Sequence, residues 1–319
     1  MLMIDQLMEK IDEKSNPTVV GLDPLVQNIP KFIQTDAVKE FGNTRQGVSK
    51  AFLRFNLALL DQLHPLIPAV KLQMACYELY GEAGINAFNR TVERAHELNL
   101  VVIDDSKRND IGSSAKLYAM GHLGKTPLFK GEEDVEKSDF LTINPFLGSD
   151  TISPFVDQLK ENNKGVFILA RTSNPSSKEY QEALIEGKPL YTKIAEDIHS
   201  LTLDNLGARG YSPIGAVVGA TWPEEADQIR QAMPHAYFLV PGYGAQGATA
   251  DGVIPSFDQQ GYGALINSSR GVIFAYQNPK YQSKYSVENF AKSSAEAVKD
   301  MREDLLRSLS QAGKLPANW

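Results

Sequence analysis

Eight short apolar runs recur along the chain, at 18–24, 67–73, 100–107, 139–145, 165–172, 213–220, 236–242 and 263–270. No other feature constrains the fold as strongly. Their apolar residues are barely interrupted by polar ones, which marks strands buried on both faces of a parallel sheet. Helical patterns separate most of them. Ile4, Leu7, Met8 and Ile11 form one stripe of an N-terminal helix over about 1–16. A second helical stretch, roughly 47–62, places Phe52, Phe55, Leu59 and Leu60 on its inner side, and 78–98 is helical again. Alternation of β and α repeated eight times predicts an α/β protein: a single-domain (β/α)8 TIM barrel over 1–319 with a C-terminal helical tail at about 277–319. An open doubly wound sheet is the rival that pattern alone leaves standing. No linker or low-complexity run divides the chain. The connections 112–138 and 173–212 exceed what a crossover helix needs and are candidates for lid or dimer elements.

The third run changes character abruptly, from Leu100-Val101-Val102-Ile103 to Asp104-Asp105-Ser106-Lys107-Arg108-Asn109-Asp110-Ile111-Gly112. Strand side chains alternate in direction, so Asp105 and Lys107 share one face while Asp104 and Ser106 take the other. An acid and a base side by side at the mouth of an apolar strand have the form of catalytic machinery; a solvated strand end is the competing reading. Asp110 lies beyond the strand.

In barrels the reactive groups sit at the carboxyl ends of strands. Here those ends carry Asp23, Lys71, Asp105 with Lys107, then Arg171-Thr172-Ser173-Asn174, Pro241-Gly242-Tyr243-Gly244-Ala245-Gln246-Gly247, and Ser269-Arg270. Each is a weak signal by itself, but a barrel brings them all to one pocket. Gly242-x-Gly244-x-x-Gly247 matches a dinucleotide fingerprint by letter only, because Gly252 and Pro255 break the helix that fingerprint requires. A loop whose backbone N–H groups cradle one phosphate, with Arg270 adding a bidentate contact, fits better.

Composition limits the alternatives. A net charge of −7 argues against non-specific nucleic-acid binding, so an anionic substrate needs a locally basic pocket. The lone cysteine, Cys76, excludes an intrachain disulfide and points to a cytoplasmic protein with a structural thiol. No run is long enough to span a membrane. His64, His96, His122, His199 and His235 all fall away from strand ends, at surface or helix positions. With no HExxH, Cys/His cluster or Walker loop, the chemistry falls to lysines and carboxylates: proton transfer, decarboxylation or Schiff-base formation.

Asp105-x-Lys107-Arg108-x-Asp110-Ile111-Gly112, preceded by Gly21-Leu22-Asp23-Pro24 and Lys71, resembles the orotidine 5′-phosphate decarboxylase family. The likeness is closest to its bacterial branch of longer chains (type 2), in which Thr172-Ser173-Asn174-Pro175 and Val240-Pro241-Gly242-Tyr243-Gly244-Ala245-Gln246-Gly247 also recur. It extends from about Thr18 to Tyr276, with Asn109 standing where the family has glycine. The resemblance implies loss of CO2 from orotidine 5′-phosphate to give uridine 5′-phosphate, the last step of UMP synthesis, with no cofactor and no metal. It implies Lys107 as proton donor to C6, Asp105 against the departing carboxylate, and Lys71 on the carboxylate and ribose side. Asp110 would come from the other subunit of a homodimer, followed across the interface by Ile111 and Ser114. Asp23 would bind a ribose hydroxyl and Ser173 would face the pyrimidine. Gly242, Gly244, Gln246 and Arg270 would hold the phosphate, and Pro241 would also contact the substrate.

Three rivals remain at this level. A related sugar-phosphate lyase would use Mg²⁺ and needs a further carboxylate on the second strand, where Lys71 stands instead. A Schiff-base aldolase needs a neutral lysine, whereas Lys107 has two acids within three residues. A non-catalytic phosphate-binding protein would not need the full charged set.

Overall fold

The computed structural model describes residues 1–134, 137–244 and 247–319. Eight parallel strands close into a ring: β1 (Thr18–Leu22), β2 (Ala69–Gln73), β3 (Val101–Arg108), β4 (Phe140–Ile143), β5 (Gly165–Arg171), β6 (Ser212–Val218), β7 (Ala236–Pro241) and β8 (Ala264–Ser268). Each pairs with its sequence neighbours, and β8 returns to β1 with Val19 opposite Asn267. Closure settles the choice between barrel and open sheet, and it leaves no strand edge unpaired.

The ring is filled from one end. Inward-facing Val19, Ala69, Val101, Ile103, Phe140, Phe167, Tyr237 and Leu265 pack with Ile4, Leu7, Met8 and Ile11 of helix α1 (Met3–Lys14). The stripe read from the sequence is therefore the plug of the amino-terminal mouth. Asp5 of α1 accepts the backbone N–H groups of Ala208 and Arg209, which ties the plug to the loop before β6. With the lower layers apolar and plugged, polar inward positions remain only at the carboxyl end of the strands.

Several boundaries differ from the sequence expectations. Helix α2 (Lys31–Phe41) was not anticipated. Helix α3 (Arg45–Leu63) begins where Thr44 accepts the Gly47 N–H, a cap three residues before the expected start. The helix expected at 78–98 is α5 (Gly81–Glu97), preceded by an unexpected short helix α4 (Met74–Glu78), with Gly81 at φ +58° marking the break between them. The long connections contain helix α6 (Gly112–Leu123) and two small hairpins, Thr126–Pro127 with Glu132–Glu133 and Leu184–Ile185 with Lys188–Pro189.

The C-terminal tail is a helix, Phe290–Gln311, that buries Phe290, Val298, Met301, Leu305 and Leu309. Beyond it, Trp319 Nε1 donates to Asp12 Oδ1 of α1 at 2.9 Å, so the two chain ends are clipped together. Among the described residues no helix is long and apolar enough to cross a membrane.

Candidate active site at the carboxyl end of the barrel

A cavity of about 660 Å³ opens at the carboxyl ends of the strands. Of the residues singled out from the sequence, Asp23, Lys71, Asp105, Lys107, Ser173, Pro241, Gly242 and Arg270 line it. Gly244 does not line it. Asp110, Ile111 and Ser114 lie outside it on the same chain, and Gln246 falls outside the described residues.

The centre of the cavity is a line of alternating charge, buried at Lys71 and Asp105 and open to solvent at Lys107. Lys71 Nζ lies 2.6 Å from Asp105 Oδ2 and 3.7 Å from Asp23 Oδ1, while Lys107 Nζ lies 2.6 Å from Asp105 Oδ1. Two residues missed in the sequence complete it: Gln73 Nε2 donates to Asp105 Oδ2 at 3.1 Å, and Thr142 Oγ1 to Asp105 Oδ1 at 3.0 Å. Gln73 was legible as the residue two past Lys71, hence on the same strand face. Thr142 carried no such signal, because a threonine within a strand is ordinary until the register places it beside Asp105.

The backbone at Lys107 is unusual. It takes φ +53°, and the register of β3 against β4 shifts between Asp104 and Arg108. A non-glycine residue in that region costs about 1 kcal/mol or more. The freed N–H of Lys107 donates to Thr142 Oγ1 at 2.9 Å, so one hydroxyl serves both the strained backbone and the Asp105 carboxylate.

The charge line determines protonation. Burial alone would raise the Asp105 carboxyl, but the ammonium groups of Lys71 and Lys107 outweigh it and hold the group well below the usual carboxylate range. Burial would likewise depress Lys71, but the carboxylates of Asp23 and then Asp105 keep it above the ordinary lysine value. Lys71 is thus held as a cation, the opposite of what Schiff-base chemistry requires. Cys76 also lines the cavity; burial, then the Asp23 carboxylate, pushes its thiol up to about 11, so it is an inert thiol at neutral pH.

The rim opposite carries the remaining cation. Arg270 is exposed and forms no ion pair among the described residues. Beside it Gly242 takes φ +113° and Gly244 φ +71°, a path closed to most side chains. The Gly244 N–H is spent on the Ala248 carbonyl at 2.9 Å, so Gly244 shapes the loop rather than presenting its amide to the cavity. Tyr243 donates to Asp304 on the C-terminal helix at 2.7 Å, which gives the tail a role in holding this loop.

Ser173 is placed from below. A Cβ on Gly219 would lie 2.8 Å from the Ser173 backbone, and Trp222 Nε1 donates to the Thr172 carbonyl at 2.9 Å. Fully buried Arg171, read as one of the strand-end polar group, points away from the cavity. Its guanidinium sits 4.5 Å over the Trp222 ring and pairs with Glu182 at 2.5 Å. Asn267 was not foreseen either. It lines the cavity with its Oδ1 buried and without a hydrogen-bond partner among the described residues.

The family is decided by the match along the chain. Residues 19–285 fit the model of the Orotidine 5′-phosphate decarboxylase / HUMPS family. The chain belongs to this family. A Rhodopirellula baltica protein named orotidine 5′-phosphate decarboxylase is 38% identical over 305 residues, covering 96% of this chain and 99% of the relative. One of the same name from Caldicellulosiruptor bescii is 36% identical over 306 residues, covering 96% and 98%. The structure of Leishmania donovani OMP decarboxylase superposes with a TM-score of 0.68 at 26% identity, covering 95% of this chain and 99% of that one. The family resemblance read from the strand ends therefore holds over nearly the whole length.

Asp105 yields a pH-dependent prediction. Its folded pKa lies below the unfolded value near 4, so its stabilisation is full above about pH 5 and is lost as pH falls toward the folded value. Asp105→Asn is expected to cost about 3–5 kcal/mol at pH 7, since it strips the counter-charge from two lysines. Unfolding free energies of the two proteins from urea titrations should differ by a constant amount from about pH 5 to 9, and that gap should shrink by about 1 kcal/mol by pH 3. A gap independent of pH down to 3 contradicts the assignment.

Proposed function

We propose that this chain decarboxylates orotidine 5′-phosphate to uridine 5′-phosphate, the last step of UMP synthesis, without metal or cofactor. The observation that carries this reading is the pair of lysines joined through Asp105 at the cavity centre, facing Arg270 on the rim, which forms no ion pair among the described residues. Arg270, the Gly242 backbone and the Gln246 side chain hold the phosphate. Asp23 accepts from a ribose hydroxyl, and Ser173 and Pro241 border the pyrimidine. That pose sets C6 against Lys107.

As the bond from C6 to the carboxylate carbon breaks, its electron pair stays at C6 and CO2 leaves. The Lys107 ammonium meets that developing charge and gives its proton to C6; solvent returns the proton to the amine. A preorganised cation there stabilises the transition state more than the substrate, which raises turnover rather than ground-state affinity. Asp105 holds both lysines charged and in place. Each of its oxygens already accepts two hydrogen bonds, so its charge is largely engaged before a substrate carboxylate arrives. The carboxylates of the site are counter-charged by lysines, which leaves no open pair for a divalent cation.

The active protein in this reading is a cytoplasmic homodimer. Asp110 is outside its own chain's cavity, where its carboxylate accepts the Ile111 N–H at 2.8 Å. Beyond it, Ile111 is 61% and Leu117 65% exposed, an apolar strip beside an acid that suits a subunit interface. Asp110, with Ile111 and Ser114, then completes the neighbour's site and adds a second carboxylate to Lys107.

The direct assay follows the loss of orotidine 5′-phosphate absorbance with purified protein. Turnover is expected at the same rate before and after exhaustive EDTA treatment. No turnover, or activity lost in EDTA and restored by Mg²⁺, refutes the proposal and favours a metal-dependent lyase.

Subunit sharing is tested by mixing two inactive variants, Lys107→Ala and Asp110→Ala. A mixed dimer has one doubly damaged site and one intact site, so random exchange should return about a quarter of wild-type activity. Exchange is verified by sedimentation of a tagged partner. If exchanged mixtures stay as inactive as their parents, Asp110 acts within its own chain.

A further inference from the structure

Behind the catalytic face of β3 lies a second polar line that the proposed reaction does not use. Asp104, 2% exposed, points out of the barrel toward α6, where its Oδ2 lies 2.6 Å from His122 Nδ1. Ser106 donates to its other oxygen. On the far side of the ring, Arg108 Nε is 3.3 Å from His122 Nε2, and the same guanidinium pairs with Glu78 of α4. An arginine can only donate, so His122 Nε2 accepts and the ring proton sits on Nδ1, directed at Asp104. The tautomer is fixed by its neighbours.

The two anchors of this line are the two residues between which β3 slips its register, and Lys107 with its positive φ lies between them. On the inner side Thr142 holds the Lys107 N–H; on the outer side His122 ties Asp104 to Arg108. We propose that His122 is a positioning residue: by bracing Asp104 and Arg108 it maintains the strained end of β3 and so aims Lys107 at C6. Because α6 starts at Gly112, the same brace holds the segment bearing Asp110 and Ile111 at a set distance from the strand.

This inference rests on the decarboxylase reading, and wild-type turnover of orotidine 5′-phosphate is measured first, so that failure of that reading is seen separately. His122→Leu is then expected to lower kcat tenfold to a hundredfold, the range for a reacting group displaced by about 1 Å. KM should stay within about threefold, since the phosphate grip is untouched. Asp104→Asn keeps an acceptor for the His122 Nδ1–H and should keep kcat within about threefold, whereas Asp104→Leu should fall with His122→Leu. The double variant Asp104→Leu/His122→Leu removes both ends of the buried pair at once, leaving only part-buried Ser106 and Arg108 to find water, so it is the variant expected to fold where a single change is damaging. Its kcat should be no lower than that of either single variant. Unchanged kcat in the folded double variant, additive losses, or a loss appearing only in KM would each overturn the brace.

Discussion

Asp105 is the constraint from which the rest of the site follows. A carboxylate buried to this depth is stable only if it is paired, and here it is paired twice, through Lys71 and Lys107. The same contacts hold Lys71 as a cation within the barrel and fix the ammonium of Lys107 at the cavity mouth. Neither lysine could keep its place alone; Lys71, almost wholly enclosed, would lose its proton without carboxylate neighbours. One buried group thus sets charge, position and direction for the groups on either side.

The barrel supplies what such a charge line needs. Its ring is closed and its lower end is plugged by α1, so the apolar layers beneath the site exclude water. The charged residues occupy inward positions above the apolar layers, Lys71 on β2 and Asp105 and Lys107 on β3, with Asp23 just past β1. Rigidity at the rim comes from outside the ring. Arg171 and Trp222 support the Ser173 turn, and the C-terminal helix reaches the glycine loop through Asp304 and Tyr243. Among the described non-glycine residues lining the cavity, the one with positive φ is Lys107, and its N–H is held by Thr142.

The architecture was legible because hydrophobic alternation is a property of local sequence. Eight apolar runs and the Ile4, Leu7, Met8, Ile11 stripe lead directly to the observed barrel and its plug. The strand-end residues were legible for a similar reason, since a barrel places strand termini together whatever lies between them. What the sequence hid depends on contacts across the fold. Thr142 reads as an ordinary strand residue until the register brings it beneath Asp105. His122 reads as a surface helix residue until α6 packs on β3 and meets Asp104. Gly244 reads as part of a phosphate cradle until its N–H is found committed to Ala248. The tail after Tyr276 carries no motif, and its contribution through Asp304 is visible only in three dimensions.

The most direct measurement compares turnover of orotidine 5′-phosphate by the wild type and by Lys107→Ala under saturating substrate, with melting temperature and circular dichroism as controls for folding. If the ammonium held by Asp105 both stabilises charge at C6 and delivers the proton, the variant should melt within a few degrees of the wild type. Its kcat should be at least about a thousandfold lower. A folded Lys107→Ala protein with near-normal kcat would contradict this, and so would recovery of substrate bound covalently to Lys107 of the wild type after borohydride reduction.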